Sequence, residues 1–462
     1  MTARLKATLL AATLLALPAL APAAEQPYAS TYRAIASGPV LIRNATVLTG
    51  DGQRLEGADV LMRGGRIAAV GQGLEAGEAS VVDGSGKWVT PGIIDVHSHL
   101  GVYSSPGAAA HSDGNELTAP VTAQVWAEHA VWPQDPGFGT ALAGGVTSMM
   151  ILPGSGNLIG GRGVVLKNVP ATTMQDMKFP DAPHSVKMAC GENPKRVYGS
   201  RSQSPMTRMG NLAGYRAAFA EAAKYRDAWD KYEAGRSGGE RKGRKQSAAG
   251  DPPSRDLRLD TLASVLRGEI TVQIHCYRAD EMALMLDLAK EFGFRIAAFH
   301  HGVEAYKLAD RLAGEGICGA LWADWWGFKM EAYDGIQENI ALVDRPKDSC
   351  AVVHSDSSEG IQRLNQEAAK VMVRGERAGL SLPPERAIRW LTANAARAIG
   401  ISDQTGVLAE GKMADVVLWN GNPFSVYAKA ERVYVDGALL YDIADRSRQP
   451  VSDFMLGQEV SP

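Results

Sequence analysis

The feature of this sequence that most limits its fold is an alternation of apolar, strand-like segments with helical segments between residues 93 and 399. Helical periodicity is clear, for example, in residues 280–292, 305–314 and 361–378. The strand-like segments are eight, at residues 93–99, 146–152, 163–166, 185–189, 270–275, 295–300, 316–321 and 350–355. Eight strands with intervening helices predict a parallel α/β barrel whose functional site lies at the carboxyl ends of the strands.

Short β segments flank this alternation on both sides. Residues 38–90 contain short strands separated by Gly-rich turns such as Gly50-Asp51-Gly52, and residues 405–445 return to the same pattern. A helix that contains residues 392–399 precedes the second segment. We therefore expect a barrel of residues 91–404 and one small β-domain composed of both terminal segments.

Residues 210–259 interrupt the rhythm of strands and helices. Residues 215–232 have helical periodicity, whereas residues 235–254 are rich in Gly, Lys and Arg and contain a Pro-Pro pair, which is the composition of a mobile loop. The sequence thus predicts a flexible insertion in the barrel. Its basic residues favour a solvated linker over a binding arm.

The first 23 residues have the three parts of a secretory signal peptide. Arg4 and Lys6 precede an apolar run at residues 7–17, and Ala21-Pro22-Ala23 supplies small residues for cleavage. A transmembrane anchor needs about 20 apolar residues, so this run is too short, and no later segment of the sequence is long and apolar enough for a stable membrane span. We expect a mature chain that begins near Ala24 and is periplasmic or secreted.

The composition argues against two classes of partner. The chain of 462 residues is 45% hydrophobic and 21% charged, with a formal net charge of −3. These values are ordinary for a globular protein and give no reason to expect nucleic acid or an acidic membrane surface as a partner. The four cysteines lie in or beside apolar segments, where free cysteines pack as small hydrophobes; export permits disulfides, but the sequence does not pair them.

Residues that can bind a metal lie at the ends of the predicted strands. His97 and His99 are two apart in one strand, so their side chains point the same way and can bind one divalent metal. Alone, such a pair more often consists of solvated or hydrogen-bonded histidines. His275, the pair His300–His301 and Asp356 end or follow three further strands. Together these residues form the His/His/His/Asp set of a catalytic zinc-type site, with room left for water.

Three further groups of side chains are candidates for the site. Lys187 lies in the middle of a strand, where it is either salt-bridged or, once its amine is converted to an anion, a metal ligand. Trp325 and Trp326 follow the seventh strand and either shape a substrate pocket or pack as a lid. Arg278 and Arg201 are candidates for binding a substrate carboxylate.

Six motifs occur together in this chain. They are Pro91-Gly-Ile-Ile-Asp-Val-His-Ser-His, Ala143-Gly-Gly-Val-Thr147, Phe299-His-His-Gly302, His354-Ser-Asp-Ser357, Thr392-Ala-Asn-Ala395 and Gly406-Val-Leu-Ala-Glu-Gly-Lys-Met-Ala-Asp-Val-Val417. With them, over about residues 40–440, the sequence resembles the metal-dependent amidohydrolase superfamily, and within it the imidazolonepropionase-like and prolidase-like members. The resemblance implies a distorted (β/α)8 TIM barrel with a small β-sandwich domain composed of the N- and C-terminal segments.

The resemblance also implies roles for individual residues. The five direct metal ligands that it implies are His97, His99, His275, His301 and Asp356. Lys187 falls where binuclear members carry a CO₂-modified lysine that bridges two metals. The segment after Lys187 departs from the family pattern and makes Glu192 a competing ligand. His300 is expected to face away from the site and pack, and His354 to lie in a lower layer or contact substrate.

The expected function is hydrolysis of an amide or cyclic-amide C–N bond in a small molecule, through a water activated by one or two divalent ions, with zinc as the expected metal. Asp356 takes the proton of the water and passes it to the leaving nitrogen, and His301 or His354 stabilises the oxyanion. A prolidase-like metallodipeptidase acting on a dipeptide-like substrate is the nearest alternative. An inactive barrel used for binding is the alternative from another class. The sequence leaves the metal count and the oligomeric state, a homo-oligomer included, open.

Overall fold

The computed structural model of the chain describes residues 28–240, 251–325 and 327–450. The expected signal peptide at residues 1–23 and the side chain of Trp326 lie outside the described residues. The strands are β1 (Val40–Leu48), β2 (Arg54–Arg63), β3 (Arg66–Gly71), β4 (Ser80–Asp83), β5 (Trp88–Pro91), β6 (Ile93–Ser98), β7 (Val146–Ile151), β8 (Ile159–Lys167), β9 (Ser185–Ala189), β10 (Thr271–Cys276), β11 (Ile296–His301), β12 (Cys318–Leu321), β13 (Ala351–Val353), β14 (Val416–Trp419), β15 (Ala430–Val435) and β16 (Ala438–Asp442).

The α-helices of the described residues lie mostly between the strands β6 and β14. They are α1 (Pro136–Ala143), α2 (Met174–Met177), α3 (Glu192–Gly199), α4 (Arg208–Glu240), α5 (Leu257–Leu266), α6 (Ala279–Phe292), α7 (Ala309–Gly314), α8 (Asn339–Val343), α9 (Leu364–Arg377), α10 (Pro384–Ala387) and α11 (Ala393–Ile399). Among these described helices, none has the length and apolar character that a membrane span needs.

The strands β6 to β13 form one eight-stranded sheet in sequence order, which confirms the predicted barrel of eight strands. One strand departs from the expected parallel arrangement, because β8 is antiparallel to both β7 and β9. The physical reason is the connection: only residues 152–158 separate β7 from β8, whereas a parallel pair needs a crossover of about a dozen residues or more. The expectation of an all-parallel barrel is therefore wrong at this strand.

The lower end of the barrel is closed by α11. Apolar side chains of the inner strands, such as Val96, Ala298 and Val352, form one buried cluster with Ala395 and Ala398 of this helix. The ends of the sheet also meet, because the backbone N–H of Asp356, just after β13, donates to the carbonyl of His97 at 3.0 Å. With one end filled by a helix, the carboxyl ends of the strands remain as the open end.

The two terminal segments form a second eight-stranded sheet, which confirms the expected composite β-domain. Its order is β16-β15-β14-β5-β1-β2-β3, with β4 paired to β1, so the C-terminal strands join the N-terminal ones through the pair β14–β5. Alternate residues of β1 and β2 enter two different apolar clusters, with Ile42 and Val60 in one and Leu41 and Leu61 in the other. The sheet thus buries both of its faces.

A buried ion network joins the barrel to this β-domain. Lys167, at the end of β8, is fully buried, and its ammonium lies 2.9 Å from an oxygen of Asp415 and 3.0 Å from an oxygen of Asp436. The hydroxyl of Thr405 donates to Asp415 at 2.8 Å, and the phenol of Tyr32 donates to Asp436. Burial, together with the neighbouring charge of Asp415, raises the pKa of Asp436. One cation therefore holds two carboxylates from the other domain.

The insertion expected at residues 210–259 is helical where residues 215–232 predicted a helix, but the same helix continues through residues 235–240, so the expectation of a mobile loop is wrong there. Residues 208–240 form the long helix α4, which packs on α5. Tyr215, Phe219 and Ala222, spaced at helical intervals, bury an apolar face of α4. This burial outweighs the loop-like composition at the end of the helix, and residues 241–250 lie outside the described residues.

The four cysteines form two disulfides, which the sequence alone did not pair. Cys190 is bonded to Cys276 and Cys318 to Cys350, with Cα–Cα distances of 5.2 and 4.5 Å. Each bond links two neighbouring parallel strands of the barrel, β9 to β10 and β12 to β13. The pairing follows from strand register, which the local sequence around each cysteine does not reveal.

Candidate active site

Three predicted ligands meet at the open end of the barrel. The Nε2 atom of His99 lies 3.1 Å, and that of His97 3.5 Å, from the same carboxylate oxygen of Asp356. The side chain of His97 is fully buried, whereas the side chains of His99 and Asp356 are 19% and 22% exposed. The cluster therefore has a closed inner side and an opening to solvent at His99 and Asp356.

Two residues of this cluster have a left-handed backbone. His301 has φ +71° and Asp356 has φ +50°, a region that costs free energy for residues other than glycine and is found mainly where function requires it. At His301 this conformation breaks the alternation of side chains along β11. As a result the rings of both His300 and His301 lie beside His97, with centroids 4.8 and 4.6 Å away. The expectation that His300 faces away from the site is therefore wrong.

A second compact group of histidines lies behind the first. His354 is buried and stacks on His97 with ring centroids 5.2 Å apart, and the centroid of His301 lies 4.9 Å from it. The ligand atoms of His97, His301 and His354 lie within 4.8 Å of one another, as do those of His97, His99 and Asp356. Nitrogen and carboxylate donors in such groups suit zinc and related divalent ions.

Several buried ring nitrogens of these histidines have no protein partner among the described residues. They are Nε2 of His97, Nδ1 of His275, Nδ1 of His301 and both nitrogens of His354. Buried polar atoms are normally hydrogen-bonded, and an ion or water is the usual partner where the protein offers none. The residues present therefore fit a bound divalent metal.

Burial and nearby positive groups keep the most deeply buried histidines of the site neutral. Burial lowers the pKa of His97, His275, His300 and His301 well below the ordinary value, and nearby positive groups lower it further. Burial also lowers the pKa of His354, to about 3. For Asp356 burial alone would raise the pKa, but the hydrogen bond with His99 and the positive groups around it hold the pKa below its usual value. Neutral imidazoles and an ionised carboxylate are the forms that bind metal.

Lys187 is buried in the barrel without a carboxylate in ion-pair contact among the described residues. Its exposure is 1%, and its ammonium donates to the carbonyl of Pro153 at 3.2 Å. Burial lowers the pKa of this amine to about 8, although the charge of Asp356 acts in the opposite direction. An appreciable fraction of the amine is therefore uncharged near neutral pH, which is the form that reacts with CO₂.

His275 lies next to His301 of the cluster, but one of its ring nitrogens faces the side-chain amide of Asn193. Its ring centroid is 4.7 Å from that of His301, whereas its Nε2 lies 3.3 Å from the side-chain amide of Asn193. The ammonium of Lys329 lies 3.2 Å from the other side of that amide and 3.3 Å from Glu192. Glu192, a competing ligand by sequence, is thus paired with a lysine.

Asp95 connects the two segments that carry the first ligands. It is fully buried, and it accepts hydrogen bonds from the backbone N–H groups of His97 and Ser355, each at 3.2 Å, and from the hydroxyl of Ser355. Burial raises the pKa of Asp95 to about 7 in spite of these bonds. Sequence reasoning missed this residue, although it lies inside the motif of residues 91–99.

Aromatic side chains after β12 cover one side of the histidines. Trp322 stacks on His301 with centroids 4.2 Å apart, and Trp325 stacks on Trp322 at 5.0 Å. Trp322 is buried and donates its indole N–H to the carbonyl of Ser355 at 3.2 Å, whereas 42% of Trp325 is exposed. The predicted Trp325 therefore lies at the site, and Trp322, which sequence reasoning missed, connects it to His301.

Neither candidate arginine is directed to the cluster. The guanidinium of Arg278 is bound by both carboxylate oxygens of Asp280, at 2.9 and 2.8 Å, and Arg201 donates to the carbonyl of Leu117 at 2.6 Å. Both side chains are thus engaged with local partners rather than left to bind a substrate carboxylate.

The chain is similar to proteins of one family. Residues 347–440 match the model of the amidohydrolase family. Amidohydrolase tasK of Hapsidospora irregularis is 33% identical over 438 residues; the match covers 87% of this chain and 43% of that relative, so the chain spans less than half of its length. The crystal structure of an amidohydrolase from Thermotoga maritima MSB8 is 36% identical, with a TM-score of 0.77, and the match covers 87% of this chain and all of that one.

A more distant structure shares the fold. Phenylurea hydrolase B is 18% identical, with a TM-score of 0.53 over 89% of this chain and 98% of its own. The resemblance inferred from the sequence motifs is confirmed by these comparisons. Because it matches the Thermotoga maritima protein over that protein's whole length at 36% identity, the chain belongs to the amidohydrolase family.

Proposed function

We propose that this chain is a metal-dependent hydrolase that cleaves an amide or cyclic-amide C–N bond in a small molecule. The observation that carries the proposal is the convergence of the ligand atoms of His97, His99 and Asp356 within 4.8 Å of one another, with a buried Nε2 of His97 that has no hydrogen-bond partner among the described residues. Zinc is the proposed ion, since imidazole and carboxylate donors favour it. His301 and His354 extend the same cluster inwards.

A divalent ion held by these residues would lower the pKa of a bound water to about 7 and would polarise a carbonyl. Asp356 is ionised and partly exposed, and it lies between the buried histidines and solvent. It is therefore placed to accept the proton of the attacking water and to return it to the leaving nitrogen. His301, whose Nε2 lies 3.8 Å from the second oxygen of Asp356, is on the inner side, where it can stabilise the oxyanion.

The walls of the opening favour a flat, apolar group next to the scissile bond. Trp325 offers an exposed indole face, stacked through Trp322 on His301, and aromatic pairs in stacked geometry contribute about 0.5–1.5 kcal/mol beyond burial. His354, at 2% exposure, is buried to the same extent as His301, at 1%. We therefore assign substrate contact at the opening to the exposed Trp325.

The experiment that tests the proposal compares three substrate classes on purified protein. The protein is depleted of metal, reloaded with zinc, and assayed with N-acyl amino acids, cyclic amides and dipeptides, including those that end in proline. We expect zinc-dependent hydrolysis in one of the first two classes and its loss in His97→Asn. Turnover confined to dipeptides favours the prolidase-like alternative, and a protein that retains no metal and cleaves nothing favours the inactive barrel.

We also propose that the enzyme acts outside the cytoplasm. Two disulfides link neighbouring strands of the barrel, and such bonds persist in oxidising compartments. Together with the signal-like residues 1–23 they favour a periplasmic or secreted protein. N-terminal sequencing of the exported protein should find a start near Ala24, and an intact Met1 on that material would contradict the proposal.

A further inference from the structure

The side chain of His300 is fully buried in the barrel and uses both of its ring nitrogens. Its Nδ1 lies 2.9 Å from Nδ1 of His97, and its Nε2 lies 2.7 Å from Oε1 of Gln273. The side-chain amide of Gln273, also fully buried, donates in turn to the carbonyl of Ala398 at 3.0 Å. A continuous chain of hydrogen bonds thus runs from α11, at the closed end of the barrel, to His97 at the open end.

The carbonyl of Ala398, at one end of this series of hydrogen bonds, sets the direction of every bond in the series. The carbonyl of Ala398 can only accept, so it requires the NH₂ group of Gln273 and turns the amide oxygen to His300. That oxygen also can only accept, so Nε2 of His300 carries a proton. A second proton on His300 would be a charge buried between an amide and another imidazole, which is strongly unfavourable. Nδ1 of His300 is therefore an acceptor.

The remaining bond fixes the protonation of His97. Since Nδ1 of His300 accepts, Nδ1 of His97 must donate, and the lone pair of a neutral His97 is then on Nε2. This Nε2 is the atom that has no hydrogen-bond partner in the part of the chain that the structure describes, and it lies 3.5 Å from Asp356. We propose that Gln273 and His300 are positioning residues, which hold His97 in the tautomer that offers Nε2 to a metal.

The effect on zinc affinity rests on the proposed function, whereas the tautomer of His97 is a property of the metal-free protein. Partners that hold the second nitrogen of a metal-binding histidine typically change metal affinity about 10–100-fold when they are removed. In Gln273→Leu we expect a zinc affinity lower by about that factor, and both tautomers of His97. In Gln273→Glu the protonated carboxyl group keeps both a donor for Ala398 and an acceptor for His300, and we expect it to restore most of the affinity.

The test measures tautomer and zinc affinity separately on the full chain. Long-range ¹H–¹⁵N spectra of the metal-free protein with ¹⁵N-labelled histidine, assigned with His97→Asn, report which nitrogen of His97 carries the proton. Competition with a chelator gives the zinc affinity. The matched control is Asn365→Leu, which removes another buried amide, one that donates to the carbonyl of Pro423 at 2.8 Å outside the barrel interior. It should lower thermal stability and leave zinc affinity unchanged.

The outcomes separate the two proposals. A single Nδ1–H tautomer of His97 in the wild type, lost in Gln273→Leu, supports the inference even if no substrate is found. A wild type whose His97 carries its proton on Nε2 overturns it, and this result needs no variant to fold. Unchanged zinc affinity in a folded Gln273→Leu also overturns it. If the wild-type protein shows the expected tautomer but binds no zinc, the result contradicts the proposed function and leaves the inference about His97 intact.

Discussion

Asp356→Asn is expected to lower kcat/KM by about 10²–10⁴-fold, because an amide cannot accept the proton of the attacking water. The fold should survive, since asparagine is nearly isosteric and tolerates the left-handed φ of +50° at this position. An amide oxygen can still face the metal, so most of the zinc should remain. Steady-state kinetics, with zinc per chain and a circular dichroism melt on the same preparation, measure all three.

The control for this prediction is Asp348→Asn. Asp348 is an exposed aspartate that also has a left-handed backbone, with φ +61°, so the chemical change and its backbone setting are matched. We expect its kcat/KM to equal that of the wild type. Near-normal turnover in Asp356→Asn would mean that another group moves the proton.

Lys187→Ala is expected to lose about one metal per chain and most of the activity. The reason is that the buried amine, with its pKa lowered to about 8 and only a carbonyl as a described partner, is suited to carry CO₂. The carboxylated side chain would be an anion with two oxygens, able to hold two ions, whereas the unmodified ammonium would repel them. Zinc per chain in wild type and variant gives the count, and a carbonyl signal from ¹³C-bicarbonate in the wild type reports the modification.

Short carboxylic acids provide the control for this variant. Acetate or propionate can enter the space left by the lysine side chain and supply the missing oxygens, so part of the activity of Lys187→Ala should return. The same acids should not stimulate the wild type. A wild-type protein with one metal, and a variant with the same metal content and activity, would show that Lys187 is structural.

The barrel could be predicted because each strand can be recognised from the residues of its own segment. Each of the eight strands is an apolar run, most of them are separated by helical segments, and all eight predicted segments overlap strands of the structure. The direction of β8 could not be predicted in the same way, because apolar residues read alike in parallel and antiparallel strands. The prediction for the end of α4 was wrong because the local composition there is that of a loop. The helix is stabilised by burial of Tyr215 and Phe219, which lie nearer its N-terminus.

The part of the site that lies at the ends of barrel strands could be predicted from the sequence. His97, His99 and Asp356 are ends of neighbouring barrel strands, and such ends meet in any closed barrel. The role of His300 was not predictable, since it depends on one left-handed residue at position 301 that breaks the alternation of β11. Trp322 also required the structure, because its contact with His301 is between strands.

The ion network around Lys167 makes the two halves of the molecule a single cooperative unit. The lysine belongs to the barrel, whereas both of its carboxylates, Asp415 and Asp436, come from the last strands of the chain. A barrel excised at residues 91–404 would lack both of these carboxylates, and its surface at Lys167 would be open to solvent. Calorimetry of the whole chain should show one unfolding transition, and two resolved transitions would contradict this coupling.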